Sequence, residues 1–481
     1  MNRKMIVHTV GRMVLLEAGI LLLPLLVSVL YRETCAWAFV LTVLLAAIVG
    51  LPITLFCKPK NSLIYAKEGF VIVAMTWLAF SAIGALPFVF SGEIPSFADA
   101  FFETVSGLTT TGASILRDVE SMSHGLLFWR SFTHWIGGMG VLVFIMAIVP
   151  DVSGRPMHIL RAEMPGPVVG KLVPRIKDTA KILYLIYIAM TVLETVLLLC
   201  GGMPLFDSLL HAFGTAGTGG FSIKADGLAG YNAYLQWVIA IFMLLFGVNF
   251  NLYYLLLIKR FRSALHSSEL VTYLIIVLSA SVAITFNIYP LYHNVGEAVR
   301  LSVFQVASIT TTTGYSTADF NLWPGLSKSI LFMLMFVGGC AGSTAGGLKV
   351  SRVMILIKNI KRQLRHMLHP RSVGTLRMEG KPLDEDTVSG VSAYFALYMV
   401  CMVAVFLLIS LEPFDLETNL TAAAACFNNI GPGLGAVGPA GSFAAYSAFS
   451  KFVLSAAMLL GRLEIYPLLL VCSPSAWVRN K

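Results

Sequence analysis

The stretch "FVIVAMTWLAFSAIGALPFVF" at 70–90 carries no charged residue, and "ILYLIYIAMTVLETVLLLC" at 182–200 carries one. Runs of this length reach across the roughly 30 Å of hydrocarbon in a bilayer, where a backbone must satisfy its own polar groups. Such runs recur along the whole chain, which therefore folds as helices crossing a membrane. Composition agrees: 57% of the 481 residues are hydrophobic and 12% are charged, against about 25% charged in soluble domains. The chain reads as a polytopic all-α membrane protein.

The N-terminal segment "MNRKMIVHTVGRMVLLEAGILLLPLLVSVLY" has basic residues ahead of an apolar run. It is longer than a signal sequence, lacks a small-residue cleavage site and is followed by a second span, so it is expected to be retained. Seven cysteines are scattered without CxxC pairing, which supports neither a disulfide framework nor a zinc site. The net charge of +9 lies in short loops between spans. Lys58, Lys60 and Lys67 form one group; Arg155, Arg161, Lys171, Arg175 and Lys177 a second; Lys259, Arg260 and Arg262 a third. The largest comprises Lys358, Lys361, Arg362, Arg365, Arg371, Arg377 and Lys381. By the positive-inside rule these loops are cytoplasmic, and both termini lie on the same side.

Four polar, glycine-bearing stretches interrupt the apolar pattern: "FFETVSGLTTTGAS" (101–114), "LLHAFGTAGTGGFS" (209–222), "FQVASITTTTGYS" (304–316) and "AACFNNIGPGLG" (424–435). Aligned on Gly112, Gly219, Gly314 and Gly431, they lie roughly a hundred residues apart, the signature of an internal repeat. The alignment places Thr110, Thr111 and Gly112 opposite Gly217, Thr218 and Gly219, then Thr312, Thr313 and Gly314, then Asn429, Ile430 and Gly431. Each unit reads as a span, a short segment, the glycine stretch and a second span. The short segments, of about 12 residues, reach roughly 18 Å and so enter the membrane and return. The expected architecture is ten spans and four re-entrant pore helices around a central pore. Its divisions are two N-terminal spans (1–60) and repeats at 61–155, 156–262, 263–370 and 371–481.

Re-entrant backbone is tolerated only where it lines water or is buried in protein. A ring of carbonyls from four loops can replace the hydration shell of a cation, with glycine supplying the backbone freedom. No charged residue lies within "TTGA", "GTGG", "TTGY" and "NIGP", so such a site would select through dipoles and suit a large monovalent cation. Small-residue packing between helices is the competing role.

A second feature is "GGCAGSTAGGLKVSR" at 338–352, where Gly338, Gly339, Gly342, Gly346 and Gly347 fall within ten positions. Glycine costs a helix about 1 kcal/mol relative to alanine, so this span is expected to unwind below the third stretch. There it would act as a gate or as a packing seam. Arg462 and Glu464, at membrane depth in "MLLGRLEIYPLL", and Lys349 are candidates to contact it; interfacial placement or snorkelling is the alternative. Of the nine histidines only His211 is expected near a glycine stretch, as a packing residue. Asp99, Glu103 and Glu464 are the carboxylates a proton- or sodium-coupled carrier would use, Asp99 and Glu103 otherwise serving to attract cations on the first short helix. A membrane enzyme would need a His, Asp, Glu or Ser constellation that the sequence lacks.

The motifs "SGLTTTGA", "WIGGMGVLVF", "RAEMPGP", "GGCAGSTAGGLKV", "NNIGPGLG" and "GRLEIYP", spread over nearly the whole chain, resemble the Trk/Ktr/HKT superfamily of cation transporters. The resemblance implies potassium as the transported ion, with the filter glycines at Gly112, Gly219, Gly314 and Gly431. It implies an intramembrane gate at 338–347 with Arg462 as its partner. It further implies a homodimer in the bacterial inner membrane, docked on a cytosolic ring of nucleotide-binding TrkA-type subunits. That ring would bind the nucleotide, and no organic cofactor is expected in this chain, which has no P-loop or GxGxxG motif. The basic loops at 155–181 and 352–385 are the expected docking surface. The fourth stretch, "NIGP", departs from the Thr-Thr-Gly pattern, which implies a different carbonyl geometry there.

Overall fold

The computed structural model describes residues 2–59, 66–140, 176–371 and 374–477. Outside them lie Lys60, Arg155, Arg161, Lys171, Arg175, the end of "WIGGMGVLVF", all of "RAEMPGP", most of the 155–181 loop, and the expected boundaries at 60/61 and 155/156.

Among the described residues six helices are long and apolar enough to cross a membrane: Arg3–Leu30, Ala36–Phe56, Lys67–Ser91, Ala180–Cys200, Ser268–Tyr292 and Glu385–Ile409. A seventh passes as a bent pair, Ala233–Phe246 with Phe250–Leu257, meeting at 91°. The first two pack through small residues. A Cβ on Gly50 would press on Leu15 and on the Gly11 carbonyl, the close approach that membrane helices use when no hydrophobic drive separates them from lipid.

The remaining four long helices each lead into a short one: Phe97–Leu108, Leu205–Gly217, Val295–Thr310 and Leu416–Phe427. Each short helix carries an acid in its first turn, respectively Asp99, Asp207, Glu297 and Glu417, which complements the positive end of the helix dipole. After each glycine stretch the chain returns through a second helix: His124–Gly138, Ala233–Phe246, Gly325–Val337 and Ala448–Arg462.

The repeats close on one another. Each short helix packs on the second helix of the preceding repeat: Leu205–Gly217 on His124–Gly138, Val295–Thr310 on Ala233–Phe246, and Leu416–Phe427 on Gly325–Val337. Phe97–Leu108 completes the circle by packing on Ala448–Arg462. The described chain is helical, with one departure from the all-α expectation: an antiparallel pair of strands, Arg377–Met378 and Lys381–Pro382. Glu379 and Gly380 turn between them with φ of 50° and 74°, the left-handed pair that a two-residue hairpin requires.

Gly50→Val is expected to force the first two spans apart at a cost of about 1–3 kcal/mol. Thermal unfolding of the detergent-solubilised protein should show a lowered transition with unchanged helix content.

Candidate functional site: a closed ring of glycine turns

The four short helices end alike. The residues after their last turns, Thr110, Thr218, Thr312 and Asn429, adopt left-handed φ of 56°, 56°, 56° and 57°. Their N–H groups reach back to Gly107 O, Thr215 O, Ile309 O and Cys426 O. The next residues, Thr111, Gly219, Thr313 and Ile430, donate to Ser106 O, Gly214 O, Ser308 O and Ala425 O at 2.8–2.9 Å. This is the Schellman termination, built here on three threonines and an asparagine where glycine is usual. A left-handed β-branched residue costs about 1–2 kcal/mol, so the surroundings must hold it there.

The following residues are glycines with positive φ: Gly112 (80°), Gly220 (74°), Gly314 (86°) and Gly431 (95°). The second repeat thus corrects the sequence alignment by one residue. Gly220, not Gly219, is the counterpart of the other three, and Thr218, Gly219 and Gly220 replace Gly217, Thr218 and Gly219. Two successive glycines hid the offset. Gly219 has a different reason to be glycine, since a Cβ there would run into the His134 ring. Gly217 closes the helix against the His134 carbonyl.

The four glycines make a ring in chain order. A Cβ on Gly112 would strike Gly219 O, on Gly220 Thr313 O, and on Gly314 Ile430 O; on Gly431 it would lie 2.7 Å from Thr111 O. Each α-carbon therefore lies against the carbonyl of the residue before the next repeat's glycine. All four also line one cavity of ≈ 290 Å³, with Arg117 and Lys224 at its walls. The fourth stretch keeps the common turn despite "NIGP": Asn429 and Ile430 form the same two hydrogen bonds as their counterparts. Its difference lies in the side chain, as Asn429 Nδ2 donates to Thr111 Oγ1 (3.0 Å) and Met458 O (2.9 Å).

Buried polar groups brace the ring from behind. Arg130 Nε meets Glu103 Oε1 at 2.6 Å, both side chains nearly inaccessible, while Arg130 Nη1 donates to Ser222 O at 2.9 Å. Glu103 also accepts from Ser114 Oγ and Ile115 N, each at 2.9 Å. His134, not only His211, lies against the glycine stretches, and it joins the first two. Phe221 N donates to its Nε2 at 3.2 Å, so Nδ1 carries the proton and donates to Gly107 O at 2.8 Å. Its spacing of four from Arg130 on a helix facing the ring was the available signal. His211 packs between Tyr231 and Tyr315 as expected, its Nδ1 on Asp207 O.

On the other side of the ring from the cavity, the helix Gly325–Val337 gives way to non-helical backbone until Val350, with Gly338, Gly342 and Gly347 at positive φ. This segment is buried and held at many points. Gly346 N donates to Thr312 Oγ1 at 2.6 Å, and a Cβ at Gly346 would press on Asn428 O, so the loop lies beneath the third and fourth stretches. Cys340 N donates to Gly247 O (2.9 Å) and Phe250 N to Gly342 O (3.0 Å). The 91° break at Gly247–Asn249, unforeseen from "FGVNF", is thus the seat of the loop.

Arg462 Nη1 donates to Thr344 O at 2.9 Å, and Nη2 to Gly137 O (2.5 Å) and Gly138 O (2.7 Å). One guanidinium ties the loop to the end of the helix His124–Gly138. Lys349 is buried and donates to Ala345 O, which replaces the snorkelling alternative. Gly339 abuts the Gly247 carbonyl. Glu464 is occupied by Arg352 at 2.7 Å, and Asp99 by Lys451 at 2.6 Å.

Four repeats that close a ring of glycine turns between membrane-spanning helices define a multi-pass membrane protein of the cation-transporter class. The chain belongs to the TrkH family: the family described as "Cation transport protein" matches residues 37–480. It is 37% identical to the Trk system potassium uptake protein TrkH of Salmonella typhimurium over 99% of this chain and 100% of that one. With TrkG of Escherichia coli the identity is 33%, over 98% of each. The crystal structure of the potassium transporter TrkH from Vibrio parahaemolyticus superposes with a TM-score of 0.88 at 31% identity, covering 99% of this chain and 100% of that one.

Glu103→Gln would leave the Arg130 charge buried without its counter-ion, at a cost of about 3–5 kcal/mol. Thermal unfolding of the purified protein should fall by many degrees, while Asp118→Asn, at an exposed position just beyond the same stretch, leaves it unchanged.

Proposed function

We propose that this protein takes up potassium passively across the cytoplasmic membrane, the ion crossing the ring of glycine turns as its selectivity filter. The observation that carries the reading is the closed contact of each ring glycine with the next repeat's carbonyl. Such a ring presents carbonyl dipoles without full charges, the field that suits a large, weakly hydrated monovalent cation. The helix C-terminal ends converge on the same place and add negative potential. Thr110 Oγ1, buried beside the ring, has no hydrogen-bond partner among the described residues, which leaves an oxygen uncommitted.

The filter consists of Thr110, Thr111 and Gly112; Thr218, Gly219 and Gly220; Thr312, Thr313 and Gly314; and Asn429, Ile430 and Gly431. The loop from Gly338 to Lys349 is the gate, closed by Arg462. The relatives named as Trk system potassium uptake proteins support this reading, and it carries with it ten spans and four pore helices that start from the outer face. The basic helix Val350–Leu368 and the hairpin beyond it form the cytoplasmic surface for a nucleotide-binding regulatory ring, and the protein works as a homodimer. Against a proton- or sodium-coupled carrier stands the engagement of Asp99, Glu103 and Glu464 in ion pairs with Lys451, Arg130 and Arg352.

Purified protein in liposomes, with a potassium gradient and no proton or sodium gradient, should show flux that follows the electrochemical potential. Flux that appears only with a second gradient would sink the passive mechanism. Gly314→Ser should lower the potassium-to-sodium preference by about tenfold or more, a change worth roughly 1.4 kcal/mol between the two ions. Arg462→Ala, which frees Thr344 O, should raise basal potassium flux in the same vesicles.

A further inference from the structure

Two carboxylates outside the ring connect the loop beneath it to the cytoplasmic hairpin. Glu269 lies in the first turn of the helix Ser268–Tyr292, and its side chain is buried. A single oxygen, Oε1, accepts from Ala341 N at 2.7 Å and from Ser351 N at 3.1 Å. Ala341 belongs to the early part of the loop and Ser351 to the first turn of the helix Val350–Leu368 that follows it. One acceptor thus bridges the loop to the helix after it, where Ser351 N is one of the first-turn N–H groups that the helix itself cannot pair.

The backbone of the same residue is held from the other direction. Glu379, at the tip of the hairpin, accepts through Oε1 from Ser267 Oγ (3.0 Å), Ser268 Oγ (3.0 Å) and Glu269 N (3.2 Å). The hairpin grips the helix after the loop as well, where Lys358 Nζ donates to Arg377 O at 2.9 Å. The helix that carries Glu269 and the helix that follows the loop are therefore both tied to the hairpin. Neither carboxylate is needed to shape the ring, and neither touches it among the contacts of the described residues.

We infer that Glu269 is a latch that positions the intramembrane loop, and that Glu379 on the hairpin is the lever through which a load on the cytoplasmic face reaches it. This rests on reading the loop as the gate. Pulling the hairpin away removes three hydrogen bonds from the start of Ser268–Tyr292. Glu269 then shifts with its helix, and Ala341 N in the loop and Ser351 N in the helix after it lose their shared acceptor. The latch is an acceptor and not a charge, so its chemistry survives in an amide: the carbonyl oxygen of glutamine can take the same two donors.

The test measures potassium efflux from proteoliposomes containing the full chain without any partner. Glu269→Ala should release potassium faster than wild type by about tenfold, the scale of losing a buried hydrogen-bonded latch. Glu269→Gln should stay at the wild-type rate. Glu379→Ala, on an exposed turn, should accelerate efflux with an unchanged unfolding temperature. Wild-type efflux from Glu269→Ala overturns the latch, as does Glu269→Gln running as fast as Glu269→Ala. Should Glu269→Ala fail to fold, Glu379→Ala decides alone, and a wild-type rate there overturns the lever. Arg462→Ala measured in parallel separates the two readings. If it is fast while the Glu269 and Glu379 variants are unchanged, the latch falls and the gate stands. If all three are unchanged, both fall.

Discussion

The contact of a glycine α-carbon with a carbonyl oxygen of the next repeat is the interaction on which the rest of this structure depends. It occurs four times in a closed circuit, from Gly112 to Gly219, Gly220 to Thr313, Gly314 to Ile430 and Gly431 to Thr111. No side chain fits between the members, so the spacing of the ring is set by backbone atoms alone. That spacing can be held only if every turn has the same shape. The shared Schellman termination supplies it, even at Asn429 and Ile430 where the side chains differ.

A ring of backbone has no packing core of its own, and the surrounding layer provides the rigidity. His134 joins the first short helix to the second stretch through its two ring nitrogens. Arg130 joins Glu103 of the first repeat to Ser222 of the second and stacks on Phe221 at 3.5 Å. These groups are buried and mutually satisfied, the condition under which a polar network stiffens a structure instead of weakening it. Left-handed threonines at the turns are tolerable because this layer leaves the chain nowhere else to go.

Beneath the ring the design reverses. Among the described residues three helices are broken, after Phe246, Val337 and Arg462. Their freed carbonyls and N–H groups meet each other: Gly247 O takes Cys340 N, Phe250 N reaches Gly342 O, and Arg462 gathers Thr344 O with Gly137 O and Gly138 O. Unwound backbone is thus satisfied by other unwound backbone. Hydrogen bonds of this kind exchange partners readily, whereas the glycine contacts above them cannot relax without a clash. The ring is thus fixed by close backbone contacts, and the loop beneath it by hydrogen bonds.

Much of this was legible in the sequence. Hydropathy alone required membrane helices. The recurrence of a glycine stretch after each short segment required four related units, because a segment near 12 residues cannot cross a bilayer. Clustered glycines at 338–347 announced a break, since no helix retains five at that density. The second repeat was misread by one residue because "GTGG" offers two glycines, and only φ at Gly220 and the His134 ring against Gly219 tell them apart. The break at Gly247–Asn249, the partners of Glu103, Asp99 and Glu464, and the role of His134 depend on contacts between residues far apart in the chain. By itself the sequence determined the solvent, the repeat and the places where helices must stop, all of which follow from local composition and length. Tertiary structure decided which glycine enters the ring and what each buried charge touches, because those depend on which backbone lies opposite.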